Sequence, residues 1–248
     1  MAKDLFSEQS KIYAQFRPTY PQELFDYILQ FVEEKKSAWD CATGNGQAAK
    51  VLADSFKKVE ASDISEAQIN NAVRKPNIQY HVCPAEQTPF ADNSFDLITV
   101  AQAYHWLNWK KFHTEATRVG KPNAVIAIWA YYLMSTNDGR LNKIVEHFYK
   151  DITGPYWDYE RRYVDDGYAT SEFDYKLLPA KNFEIKFKWN KEELIGYFQS
   201  WSSVQKYIRA NNTNPIDLIK KDIDAFWKGE EQKEILFPVF LRIGRIMK

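Results

Sequence analysis

The chain has 248 residues, enough for one α/β domain with additions or for two small domains. Its 33 basic and 33 acidic residues cancel, and no long basic stripe appears, which argues against a nucleic-acid partner. Two cysteines, Cys41 and Cys83, are too few for a disulfide framework and fit a reducing, cytoplasmic setting, and neither an apolar leader nor a run of about twenty apolar residues points to a membrane.

A polar opening with scattered aromatics, Phe6, Tyr13, Phe16 and Tyr20, meets a proline turn at Phe16 to Pro21. Helical spacing of Leu24, Tyr27, Ile28, Phe31 and Val32 predicts a helix over 22–34. A short strand is expected at 38–42, a helix at 47–56, and a second strand at 59–65 that ends near Asp63. Ser65 to Gln68 reads as a capping box opening the next helix. Strands follow at 78–83 and 95–103, the latter almost continuously apolar, as a strand covered on both faces should be. A helix at 108–119 and a turn at Lys121 to Asn123 lead into a fifth strand at 124–130. Strands alternating with helices predict a parallel, doubly wound sheet.

From Tyr131 the alternation breaks. A helix is expected at 141–152, then an aromatic loop, a strand at 183–189, helices at 192–208 and 215–227, and a final strand at 235–246. Pro238 suggests a bulge or an edge in that last strand, and the last two strands should pair antiparallel.

The stretch Trp39 to Ala49 carries the chemistry. Gly44 and Gly46 let backbone approach a ligand closely. Gly44 to Ala49 satisfies the dinucleotide pattern G-x-G-x-x-G/A, a weak signal alone that keeps an NAD-dependent oxidoreductase as an alternative. The frame Asp40-x-Ala42-x-Gly44-x-Gly46 instead resembles the acidic glycine-rich motif of class I S-adenosylmethionine-dependent methyltransferases. A carboxylate at Asp40 suits a sulfonium and an ammonium better than a pyrophosphate. Pro84 to Val100 and Arg118 to Trp129 resemble that family's segments around its third, fourth and fifth strands, so the likeness covers most of the chain. Ala101 to Trp106, Tyr13 to Pro21 and Gly154 to Trp157 resemble the small-molecule subgroup that includes the fungal trans-aconitate methyltransferases.

The resemblance implies a single domain over 1–248, built on a doubly wound, mostly parallel seven-stranded sheet with an antiparallel C-terminal strand. Residues 1–36 would form a lid segment and helix, 37–130 the cofactor-binding core, 131–182 a helical substrate insert, and 183–248 the closing strands and helices. It implies S-adenosylmethionine as cofactor, bound by Tyr13, Arg17, Asp40, Ala42, Gly44, Gly46, Asp63, Ile64, Ala85, Glu86 and Gln102. The methyl acceptor would be a small molecule, methylated at oxygen, for example at a carboxylate, by in-line displacement. A monomer or homodimer is expected, and a non-catalytic binder that keeps the fold is a further alternative. Three departures stand out. Ala42 replaces the usual first glycine, a small change if the local φ is negative, Pro84 replaces an acid beside the adenine, and Asn123-Ala124 replaces a Gly-Gly turn that Asn can preserve.

The eight Trp and an aromatic content of 16% suit a pocket for an organic ligand as well as a core. Tyr20, Tyr104, His105, Trp106, Trp129, Tyr132, Trp157 and Arg161 are candidates for the acceptor site, with core packing the competing reading, above all for Trp129. Tyr131 belongs to the same aromatic wall, and Arg162 to the same cationic pair as Arg161. His105 is the candidate general base, since its imidazole titrates near neutrality, against a structural role in the turn after strand four. The four histidines show no metal-binding spacing, so no metal is expected.

Overall fold

The computed structural model describes residues 18–227, 229 and 231–248; Tyr13 and Arg17 lie outside them. Five parallel strands form the heart of the sheet: β1 (Ser37–Cys41), β2 (Lys58–Asp63), β3 (Ile78–Val82), β4 (Phe95–Ala101) and β5 (Gly120–Tyr131). Their spatial order is β3-β2-β1-β4-β5, so the sheet reverses direction of growth beside β1. Helices α1 (Gln22–Leu29), α2 (Gln47–Leu52), α3 (Glu66–Asn70) and α4 (Trp109–Val119) lie between or before these strands.

Strands β1 and β4 are buried almost end to end because both faces are covered. Along β5, Val125, Ala127, Trp129 and Tyr131 face one apolar cluster, with Leu24, Phe25 and Leu52. Ile126, Ile128 and Ala130 face the other, with Trp39, Phe95 and Phe112. The side-chain period of two along a strand produces this division.

The second half continues with β6 (Ser135–Thr136), α5 (Gly139–His147), α6 (Arg162–Asp165), β7 (Lys176–Leu177), β8 (Phe183–Trp189), α7 (Lys191–Gln199), α8 (Ser202–Asn211), α9 (Lys220–Phe226) and β9 (Lys233–Arg245). Strand β9 runs antiparallel to β5 on one side, from Val125↔Arg245 to Tyr131↔Val239, and to β8 on the other. Seven strands of five or more residues carry the expected architecture, and the two-residue β6 and β7 bring the sheet to nine.

Several expected elements differ in detail. No helix joins β3 to β4. That connection is held by side chains: Arg118 donates to the Phe90 carbonyl at 2.8 Å and to Asp92 at 2.7 Å, and Glu115 accepts the Thr88 amide at 2.8 Å. Helix α1 stops at Leu29, and the Phe31 carbonyl beyond it accepts from Arg245. The helix expected over 192–208 breaks at Trp201, whose extended backbone lets its indole pack on Phe148 and Phe198. The one expected over 141–152 becomes a wide π turn after His147, and the one over 215–227 starts as a 3-10 turn. Pro238 sits inside a central strand, where its partner changes from β5 to β6, so its missing N–H leaves no ladder position unfilled.

Candidate active site

A cleft with about 1480 Å³ of atom-free space, partly open to solvent, lies at the carboxyl ends of β1, β2 and β4. Open α/β sheets bind ligands at this position. Its floor is the loop from Ala42 to Asn45, leading into α2. Gly44 has φ +57°, and a Cβ on it would meet nothing within 4 Å, so a side chain there would project into free space. Gly46 has φ +83°, and a Cβ there would collide with the Tyr80 hydroxyl, which is itself bonded to the Val73 carbonyl at 2.5 Å. Gly46 therefore seats the loop on β3 and does not line the cleft.

Asp40 answers for the loop's shape. It is buried behind the cleft wall, not on it. Its Oδ2 accepts the Thr43 hydroxyl at 2.5 Å and the Ala49 amide at 3.0 Å, while Oδ1 accepts the Thr99 hydroxyl at 2.8 Å. One carboxylate thus ties β1 to its own loop, to the first turn of α2 and to β4. Burial pushes its pKa up to about 6 against the pull of these three bonds, and the nearby charge of Asp63 adds to the rise. Asp40, expected among the cofactor-binding residues, thus lies off the cleft lining, with its oxygens bonded to Thr43, Ala49 and Thr99.

Asp63 stands on the cleft wall. It accepts the Gly44 amide at 2.8 Å on Oδ2 and the Ser65 amide at 2.9 Å on Oδ1. Ser65 caps α3 by accepting the Gln68 amide at 3.3 Å, and Gln68 presents a buried Oε1 without a partner at the same wall. Ile64, Cys83, Pro84, Ala85 and Glu86 continue the wall. Glu86 accepts the Asn108 amide at 2.8 Å, which fixes it.

The far side comprises Ala101 at the end of β4, Gln102, Ala103, Trp106 and Leu107 after it, with Tyr20, Tyr131 and Glu160. Gln102 has φ +53°, which ends β4 two residues before its expected stop. Its amide donates to the Trp129 carbonyl and its Oε1 accepts the Tyr131 amide, both at 2.8 Å, so β5 holds this strained residue in place. Ala42 has φ +52°, so the condition of a negative angle for a strain-free methyl group is not met, while Asn123 does take the left-handed conformation, at φ +65°.

Other candidates sit off the cleft wall. Tyr104 is fully buried, paired with His113 at 2.7 Å and bonded to the Glu172 carbonyl at 2.5 Å. His105 is buried, with Nδ1 at 2.9 Å from the Tyr168 hydroxyl. Burial first, and then the charge of Arg161, hold its imidazole well below the ordinary histidine value, so it is neutral near pH 7. Trp129 packs edge-on against Tyr20 and Phe25. Tyr132 packs on Phe240, and Trp157 on Tyr149 and Trp201. Arg161 donates from Nε to the Tyr149 hydroxyl at 3.0 Å and lies 3.5 Å from Asp165. The wall is thus supplied by the neighbours Tyr131 and Glu160 instead of Tyr132 and Arg161. For Tyr131 the strand alternation with Trp129 was a usable signal; for Glu160, in an irregular turn, there was none.

The described residues lining the cleft include three acids, Asp63, Glu86 and Glu160, and neither Lys nor Arg. A pyrophosphate would be repelled there, whereas a ligand with nucleoside and cationic parts fits. Sheet order and cleft together define a doubly wound α/β domain with an acidic ligand cleft at its switch point. The family described as "Methyltransferase domain" matches residues 39–128. A methyltransferase-family protein of Dictyostelium discoideum is 34% identical over 98% of this chain and 95% of its own length. A Saccharomyces cerevisiae protein assigned as an S-adenosylmethionine-dependent methyltransferase is 27% identical over 84% of this chain and 83% of its own. A solved structure assigned as a type II methyltransferase from Anaeromyxobacter dehalogenans is 35% identical, covers 94% of this chain and 99% of its own, and superposes with a TM-score of 0.86. The chain belongs to the class I S-adenosylmethionine-dependent methyltransferases, and it is an enzyme of that class.

Proposed function

We propose that this methyltransferase acts on a small molecule and places the methyl group on oxygen. The cleft carries the reading: turn 159–161 of the insert places Glu160 on a wall that also includes the aromatic residues Tyr20, Trp106 and Tyr131, a setting sized for an organic molecule. The whole chain, 1–248, works as one domain, as a monomer or homodimer, in a reducing compartment that suits the unpaired Cys41 and Cys83. Among the described residues no helix is long and apolar enough to cross a membrane.

The bound cofactor supplies an activated methyl on a sulfonium. The protein's part is to hold it, orient the acceptor and exclude water. Asp63 would accept from the ribose hydroxyls, its carboxylate already aimed by the Gly44 and Ser65 amides. Ile64, Ala85 and Glu86 would flank the adenine. Ala42, Gly44 and Gln102 would shape backbone around the amino-acid end. Trp106 and Tyr131 would wall the acceptor. His105 orders the turn that carries Trp106 and remains off the wall.

The test is turnover with methyl-deuterated S-adenosylmethionine on a panel of small hydroxy and carboxy compounds, with products located by mass spectrometry. A deuteromethyl ether or ester supports the reading. Transfer only to nitrogen or carbon, or only to a protein or nucleic acid, contradicts it.

A further inference from the structure

The three acids on the cleft wall are not equivalent. Asp63 is held by two backbone amides and Glu86 by one. Among the described residues, the Glu160 carboxylate has no hydrogen bond or ion pair to another group. It is half-buried and lies on the turn Tyr159–Arg161, which packs against the Tyr104–Trp106 turn after β4. The adjacent guanidinium of Arg161 does not neutralise it, being directed to Tyr149 and Asp165. Arg162 stacks over Tyr159 and bonds the Tyr163 hydroxyl. With no partner among the described residues, the Glu160 carboxylate faces whatever enters the cleft, in a wall that also includes Trp106 of the turn it packs against, Tyr20 and Tyr131.

We propose that Glu160 is a specificity-determining charge at the acceptor end of the cleft. It favours the positive sulfonium of the cofactor over the neutral thioether left after transfer, and a neutral or protonated acceptor over an anionic one. A carboxylate acceptor would have to approach a second, uncommitted carboxylate in a partly desolvated site, where like charges repel more strongly than in water. The oxygen acceptor of the reading above, on which this inference rests, is then a hydroxyl and not a carboxylate. The same charge favours exchange of the used cofactor for a fresh one, because the thioether has lost the attraction.

Calorimetry with S-adenosylmethionine and S-adenosylhomocysteine tests the cofactor half. The two share ribose, adenine and amino-acid groups, so their affinity ratio isolates the charge on sulfur. The wild-type protein should bind the sulfonium at least about tenfold more tightly, and Glu160→Gln should bring the ratio to within about threefold, leaving affinity for the thioether within about twofold. Glu160→Asp should retain most of the preference. An unchanged ratio in Glu160→Gln overturns the proposal while leaving the methyltransferase reading intact; failure of the wild type to bind either compound overturns both. For the acceptor half, phenethylamine and phenylacetate are titrated into the S-adenosylhomocysteine complex, followed by tryptophan fluorescence. Phenethylamine should bind at the lower concentration, and Glu160→Gln should remove that order. The reverse order in the wild type, or no binding of phenethylamine, overturns the acceptor half.

Discussion

The hydroxyl of Thr99, in the middle of β4, donates to Asp40 Oδ1 at 2.8 Å across the β1–β4 pairing, and both groups are buried. This bond couples the loop after β1 to the strand whose end forms the opposite wall of the cleft. Thr99→Val keeps the shape and removes the donor. It should destabilise the protein by about 1.5–3 kcal/mol at pH 7.5, the range for a bond to a charged group. The denaturation midpoint measures this, and an unchanged midpoint would show that the bond contributes nothing.

Asp40 also gives stability a pH dependence with an unusual sign. Its folded pKa, about 6, lies above the unfolded value of 3.8, so between those pH values the folded state holds the proton more tightly. Its contribution is greatest below pH 4 and is lost as pH rises through 6, a change of about 3 kcal/mol at most. The measurement is the difference in unfolding free energy between wild type and Asp40→Asn, which does not titrate. That difference should shift towards the variant as pH rises from 4 to 7. A difference that is flat with pH would contradict the burial of an ionisable carboxyl.

Ala42 holds a left-handed backbone conformation that costs a non-glycine residue roughly 1–2 kcal/mol. Glycine would remove the strain and lose about 0.4–1 kcal/mol through the greater freedom of the unfolded chain. Ala42→Gly should therefore stabilise the protein by about 1 kcal/mol or less, read as a higher melting temperature. A lower one would mean that the methyl group packs usefully against its surroundings.

Gly46→Ala should behave oppositely, because its Cβ would collide with Tyr80 and its φ of +83° penalises any side chain. A loss of about 2 kcal/mol or more is expected. A double-mutant cycle with Tyr80→Phe, which removes the colliding oxygen, should recover part of the loss. Strict additivity would place the cost in the backbone alone.

Much of this architecture was legible in the residues. Near-continuous apolar runs such as Phe95 to Val100 announce strands covered on both faces, and Asp63 at the end of β2 and Ala85–Glu86 after β3 line the cleft, where the family resemblance put them. What escaped was decided by tertiary contacts. Asp40 reads as a ligand contact, yet its oxygens go to Thr43, Ala49 and Thr99, and Thr99 is distant in sequence. Tyr104 and His105 read as pocket residues, yet their partners, Glu172 and Tyr168, lie in the irregular insert, where no periodicity locates them. Glu160 reaches the cleft through a 3-10 turn for the same reason.

The most direct measurement is calorimetric titration with S-adenosylhomocysteine and, separately, NAD, for the wild type and for Asp63→Ala. The wild type should bind S-adenosylhomocysteine and show no heat with NAD, and Asp63→Ala should lose about 1–3 kcal/mol of affinity through broken charge-assisted bonds. Binding of NAD in place of S-adenosylhomocysteine, or unchanged affinity in Asp63→Ala, would contradict the assignment of this cleft to a sulfonium nucleoside.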